Sequence, residues 1–118
     1  MLKVHAKKLD AAEVLSLEGQ IINGDTEILR GAVELASGAS EVILDFANVT
    51  MLDAHGLGVL LQLREQSLAN GIHFELINVS RRLYRIFEIT RLNTVFAIHS
   101  SVEFFPRIAH AHQLLAAA

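Results

Sequence analysis

The stretch Val42–Leu92, VILDFANVTMLDAHGLGVLLQLREQSLANGIHFELINVSRRLYRIFEITRL, decides how the rest of the chain is read. It opens on Val42-Ile43-Leu44-Asp45-Phe46, a short, branched, apolar run bounded by polar turns, the pattern of a buried strand. The segment Asn48–Asp53 reads as a loop. A helix follows from about Ala54 to Ala69, closed by Asn70-Gly71. His73–Val79 is the next strand, and Ser80 is placed to cap a helix running through Thr90. Strand and helix alternating in this way imply parallel neighbouring strands joined by right-handed crossovers.

Upstream, Leu2, Val4 and Ala6 alternate with Lys3, His5 and Lys7, as in a strand with one wet face. After a short Asp10–Glu13 connection, Leu15, Leu17, Gly19 and Ile21 repeat the alternation. Asn23-Gly24-Asp25 is a turn able to cap a helix. Ile28, Leu29, Ala32, Val33, Leu35 and Ala36 then recur at helical spacing, with Gly38 as a stop. Downstream, Val95–His99 reads as a last short strand before a terminal helical segment. There Ser100-x-x-Glu103 resembles a capping box, while Pro106 either breaks that helix or sits in its first turn. The expected architecture is α/β: a mixed, mostly parallel five-stranded sheet with an antiparallel edge strand and about four helices, in one domain over residues 1–118.

Composition narrows the function classes. Of 118 residues 52% are hydrophobic and 19% charged, far from the signature of disorder. A net charge of −3 argues against a general nucleic-acid binder, which needs a basic excess to neutralise phosphates. Arg30 and Arg64 interrupt the two best apolar candidates for a membrane span. Met1–His5 begins no signal-peptide pattern, and the absence of cysteine removes disulfide and thiol chemistry. The expectation is a cytoplasmic protein without membrane insertion.

Within the opening stretch, Asn48-Val49-Thr50-Met51-Leu52-Asp53-Ala54-His55-Gly56-Leu57-Gly58-Val59 resembles the core motif of the STAS family, anti-sigma-factor antagonist type. Val79-Ser80 and Ile89-Thr90-Arg91-Leu92 match its downstream element, and Leu17-Glu18-Gly19-Gln20-Ile21 its second strand. The resemblance implies a protein that binds an ATP-binding anti-sigma factor, itself a serine kinase, and so regulates transcription. In such antagonists a serine or threonine directly before the Gly-Leu is phosphorylated by that partner, and the phosphorylated form lets go. A helix N-terminus favours an anion, and a phosphate adds about −1.5 to −2 charges in an interface. This chain departs from the pattern: the two hydroxyl positions hold Ala54 and His55. The partner-binding residues implied are Thr50, Asp53, Ala54, His55, Gly56 and Leu57, with His55 at the phosphorylation-site position. The alternative is a STAS subunit of a lipid-transporting ABC complex that binds its ATPase.

The remaining features have blander readings. Asp53 reads as a helix N-cap, and Asp53 with His55 makes a poor acid–base pair, since residues two apart on a helix do not face each other. With no nucleophile elbow or carboxylate pair, no catalytic residue and no cofactor is expected. His110 and His112 are two apart, so they diverge on a helix and are not expected to hold a metal. In the second helix Leu57, Leu60, Leu61 and Leu68 share a face, with Val59 and Leu63 opposite, packed on a neighbouring helix or meeting a partner. Arg81, Arg82 and Arg85 read as a solvated face or a surface for an acidic partner. Leu114 and Leu115 either finish the core or support a homodimer.

Overall fold

The computed structural model describes residues 1–100, and all structural statements concern these. Two strands, β1 (Lys3–Leu9) and β2 (Ala12–Ile21), form an antiparallel hairpin in which Leu9 faces Ala12. Asp10 takes the left-handed conformation, φ 57°, that so tight a connection demands. Helix and strand then alternate: α1 (Glu27–Leu35), β3 (Glu41–Leu52), α2 (Ala54–Ala69), β4 (His73–Ile77), α3 (Arg81–Ile89) and β5 (Ala97–His99). A 3-10 turn, Leu92–Thr94, precedes β5.

The sheet order is β1-β2-β3-β4-β5, antiparallel only at β1–β2 and parallel elsewhere. This is the mixed five-stranded sheet with an antiparallel edge that the residues imply, with three α-helices and the 3-10 turn among the described residues. Crossovers of one hand between strands that advance in a single direction put every helix on the same face. Leu15, Leu17, Val42, Leu44, Phe46, Phe74 and Leu76 of the strands accordingly form one core with Leu29, Val33, Leu60, Leu63, Leu83 and Phe87 of the helices. Phe87 and Phe96 meet edge to face at 5.5 Å. On the other face Ala12, Val14, Ile43 and Ile77 form a smaller buried cluster with Leu9 packed against it.

Four local expectations are corrected. Asn48–Asp53 is not a loop: β3 runs on to Leu52 because β2 accompanies it, pairing Gly19 with Val49, Gln20 with Met51 and Ile21 with Leu52. Two register shifts, at Ser16/Glu18 and Gly19/Gln20, keep the pair together and hide the alternation from a sequence reading. The cap of α1 is Thr26, without a side-chain cap bond, so the Asn23–Asp25 turn lies ahead of it. Its C-cap is Ala36, before Gly38 is reached.

The fourth concerns α2, whose buried stripe is Gly56, Leu60, Leu63 and Ser67, flanked by Leu57 and Val59. Leu68 is exposed. A glycine and a serine on the buried line blur the apolar period, so counting leucines misplaced the face. Val59 and Leu63 are buried in the main core, so they are not free to meet a partner. The helix ends as Asn70-Gly71 implies: Gly71, at φ 74°, donates to Leu68 O and Ile72 donates to Ser67 O.

Strand β4 stops at Ile77 and β5 starts at Ala97, each two residues short of the expected span. The expected terminal helical segment, with Glu103, Pro106, His110, His112, Leu114 and Leu115, lies outside the described residues.

Candidate partner-binding surface

The ends of β2 and β3 project past their neighbour. Strand β4 pairs with β3 only from Glu41 to Asp45, whereas β2 pairs with it up to Leu52. From Phe46 onward the β4 side of β3 therefore has no strand beside it. Its backbone polar groups still need partners. One is supplied by α3: the Arg82 guanidinium donates a hydrogen bond to Thr50 O. On the other side Thr50 Oγ1 donates to Gly19 O at 3.2 Å. Thr50 is thus fixed from both flanks, and Met51 after it is 49% exposed at the strand tip.

Helix α2 starts directly from this tip. Asp53 leaves the strand with extended backbone and turns its carboxylate onto the helix: Oδ1 accepts from Gly56 N at 2.7 Å. Oδ2 accepts from Asn23 N at 3.0 Å, tying the turn before α1 to the start of α2. These backbone N–H groups, Asn23 first and then Gly56, hold the Asp53 carboxyl below its ordinary range, with a smaller contribution from nearby His55. Both oxygens are engaged by backbone, so Asp53 is a cap of α2 and a tether to the turn before α1.

Gly56 is where the helix touches the sheet. A Cβ at this position would overlap the Ile21 carbonyl oxygen and stand 2.8 Å from its carbon. Only glycine lets the first turn settle on the end of β2 while Asp53 N donates to Ile21 O. Gly56 and Leu57 are buried. Ala54 and His55 are exposed. Of the six residues singled out, Ala54, His55 and Thr50 are on the surface, Asp53 is half-buried, and Gly56 and Leu57 seat the helix beneath them.

The sequence reading missed three contributors: Asn23 as partner of the Asp53 carboxylate, Met51 as an exposed apolar side chain, and Arg82 as the side chain that holds Thr50. None of the three left a signal: alternation along Val49-Thr50-Met51-Leu52 puts Met51 on the face of buried Val49, whereas the structure exposes both Thr50 and Met51. Beside Thr50 is an open cleft of ≈ 550 Å³ lined by Glu18, Gly19, Ala47, Asn48, Val49 and Thr50. Ser80 caps α3 as expected, its Oγ accepting from Leu83 N at 3.3 Å. Among the described residues no group of three or more His, Cys, Asp or Glu is arranged to hold a metal ion, and no helix is long and apolar enough to cross a membrane.

Comparison with known proteins fits this geometry. The family model described as the STAS domain matches residues 3–105. The chain belongs to the STAS family. Solved structures share its fold. An anti-sigma factor antagonist from Mycobacterium paratuberculosis has a TM-score of 0.74 at 20% identity, over 87% of this chain and 89% of that one. The Bacillus anti-sigma factor antagonist SpoIIAA, unphosphorylated, has a TM-score of 0.72 at 18% identity, over 92% and 97%. A sulfate transporter family protein from Wolinella succinogenes has a TM-score of 0.72 at 20% identity, over 92% and 90%. Across this range of relatives the STAS fold carries different functions, so function has to be argued from the site.

Proposed function

We propose that this STAS chain is a cytoplasmic antagonist-type protein that binds an ATP-binding anti-sigma factor of the serine-kinase type, and that it acts by binding without turnover. The carrying observation is the start of α2, where an exposed Ala54-His55 pair stands on a helix end capped by Asp53; the motif resemblance matches this pair to the hydroxyl positions of antagonists. Two of the structural neighbours are anti-sigma factor antagonists, one of them known in phosphorylated and unphosphorylated forms. The contact surface is Thr50, Asp53, Ala54 and His55, supported from below by Gly56 and Leu57.

Neither alanine nor histidine is a substrate for a serine/threonine kinase. The partner's ATP therefore does not end the complex, and the antagonist stays bound where a serine-bearing relative would be released. Phosphorylation of a serine here would place a dianion beside the Asp53 carboxylate and inside a contact surface, where repulsion and desolvation both oppose binding.

The test is titration calorimetry with the ATP-binding anti-sigma factor encoded nearest to this protein, with and without ATP, beside His55→Ser. Wild-type binding that survives ATP, with release of the serine variant alone, is the expected result. If neither form binds, the anti-sigma reading is wrong, and the ATPase of a lipid-transporting ABC complex becomes the partner to assay.

A further inference from the structure

We infer that the outer face of α3, with Met51, is a second half of the same contact surface and is built for an acidic patch on the partner protein. This rests on the reading of the α2 N-terminus as the partner site and adds what lies beside it and the charge it requires.

Leu83 and Phe87 are buried, which turns Arg81, Arg82, Arg85 and Ile89 outward on the opposite side of α3. Arg82, Arg85 and Ile89 follow one another at i, i+3 and i+7, so they form one stripe along the helix. Ile89 is 74% exposed. Among the described residues no carboxylate lies within ion-pair distance of Arg81, Arg82 or Arg85, although the chain as a whole carries a net charge of −3. Glu88 is exposed one turn beyond Arg85 on the same face, so three arginines against one carboxylate leave a local excess of positive charge.

One contact links this stripe to the start of α2: the Arg82 guanidinium donates to Thr50 O, which precedes Met51 and stands three residues before the Asp53 cap. Large exposed apolar side chains interleaved with arginine are the composition of a protein interface, where Arg and Met are enriched and Lys is depleted. A nucleic-acid footprint goes with a strongly basic domain, and this chain has a net charge of −3. Unpaired guanidiniums with flanking apolar anchors select carboxylates on a protein surface, and Arg pairs with them bidentately.

The experiment compares wild type, Arg81→Glu/Arg85→Glu and Arg81→Gln/Arg85→Gln for calorimetric binding to the same purified anti-sigma factor at low and moderate salt. Arg82 is left intact because it supports Thr50. Both sites are exposed, and equal circular dichroism melts verify that the variants fold. Charge reversal is expected to weaken binding at least tenfold, neutralisation to weaken it less, and the salt dependence of the wild type to flatten in both variants. Wild-type binding that charge reversal leaves unchanged overturns this inference and spares the proposed function. Absence of wild-type binding overturns both. Capture of the wild type by double-stranded DNA or by phosphatidylserine vesicles, lost on charge reversal, also overturns the assignment to a protein partner.

Discussion

Replacing Gly56 with alanine tests the seating of α2 more sharply than any other single change. The added Cβ would overlap the Ile21 carbonyl oxygen and stand 2.8 Å from the carbonyl carbon and 3.0 Å from Ile21 Cγ2. Carbon atoms rest about 3.5–4.0 Å apart, so the first turn of α2 has to retreat by roughly 1 Å. Most of the obstacle is backbone of β2, which cannot rotate away. Overpacking of this kind costs about 1–3 kcal/mol. Against it stands the helix preference of alanine over glycine, worth up to about 1 kcal/mol. The net loss is about 1–2 kcal/mol, a fall in Tm of roughly 4–10 °C for a chain of this size. Gly58 provides the control: it lies on the same helix, and a Cβ there meets nothing within 4 Å. Gly58→Ala is expected to raise stability by up to about 1 kcal/mol. Urea unfolding followed by far-ultraviolet circular dichroism compares the three proteins. A Gly56→Ala protein as stable as Gly58→Ala would show that the close approach to Ile21 does not exist.

Two further outcomes concern charge. Backbone N–H groups lower the pKa of Asp53, so its folded value lies under its unfolded value of about 3.9. That contribution is present above the unfolded value and lost as pH falls through the folded one. Asp53→Asn, which keeps a capping oxygen, is therefore expected to be less stable than wild type at pH 7, with the gap closing in acid; a gap constant with pH would refute the assignment. Glu75 is the opposite case. Burial raises its pKa despite His99 Nε2 at 3.7 Å, and its Oε2 is buried without a hydrogen-bond partner among the described residues. Its contribution is present below the unfolded value of about 4.3 and lost as pH rises through the folded value. Glu75→Gln is therefore expected to match wild type near pH 4 and to exceed it at pH 7 in urea midpoint. Lower stability of the variant at pH 7 would mean that the pairing with His99 outweighs burial.

Much of the fold was legible because its signals are local. The hairpin, the buried run Val42–Phe46, the Asp53 and Ser80 caps and the Asn70-Gly71 exit each follow from residue type and spacing over a few positions. What was misread depends on neighbours distant in sequence. Asn48–Leu52 carries polar residues on its outer side, and only the parallel course of β2, some thirty residues earlier, makes it strand. The buried face of α2 was misassigned because Gly56 and Ser67 lie on it without adding to the apolar pattern, Gly56 being there for its close approach to Ile21.

For the site, the sequence alone determined the helix start at Asp53 and the absence of a hydroxyl at residues 54 and 55, because capping and side-chain chemistry are properties of the residues themselves. Which residues stand on the surface was decided by tertiary structure. Asn23 reaches the Asp53 carboxylate from the turn before α1, Arg82 reaches the Thr50 carbonyl from α3, and Ile21 leaves room only for glycine. These partners lie about thirty residues from the groups they meet. No pattern of spacing encodes such contacts, because they arise only when the sheet order brings the ends of separate elements to one edge.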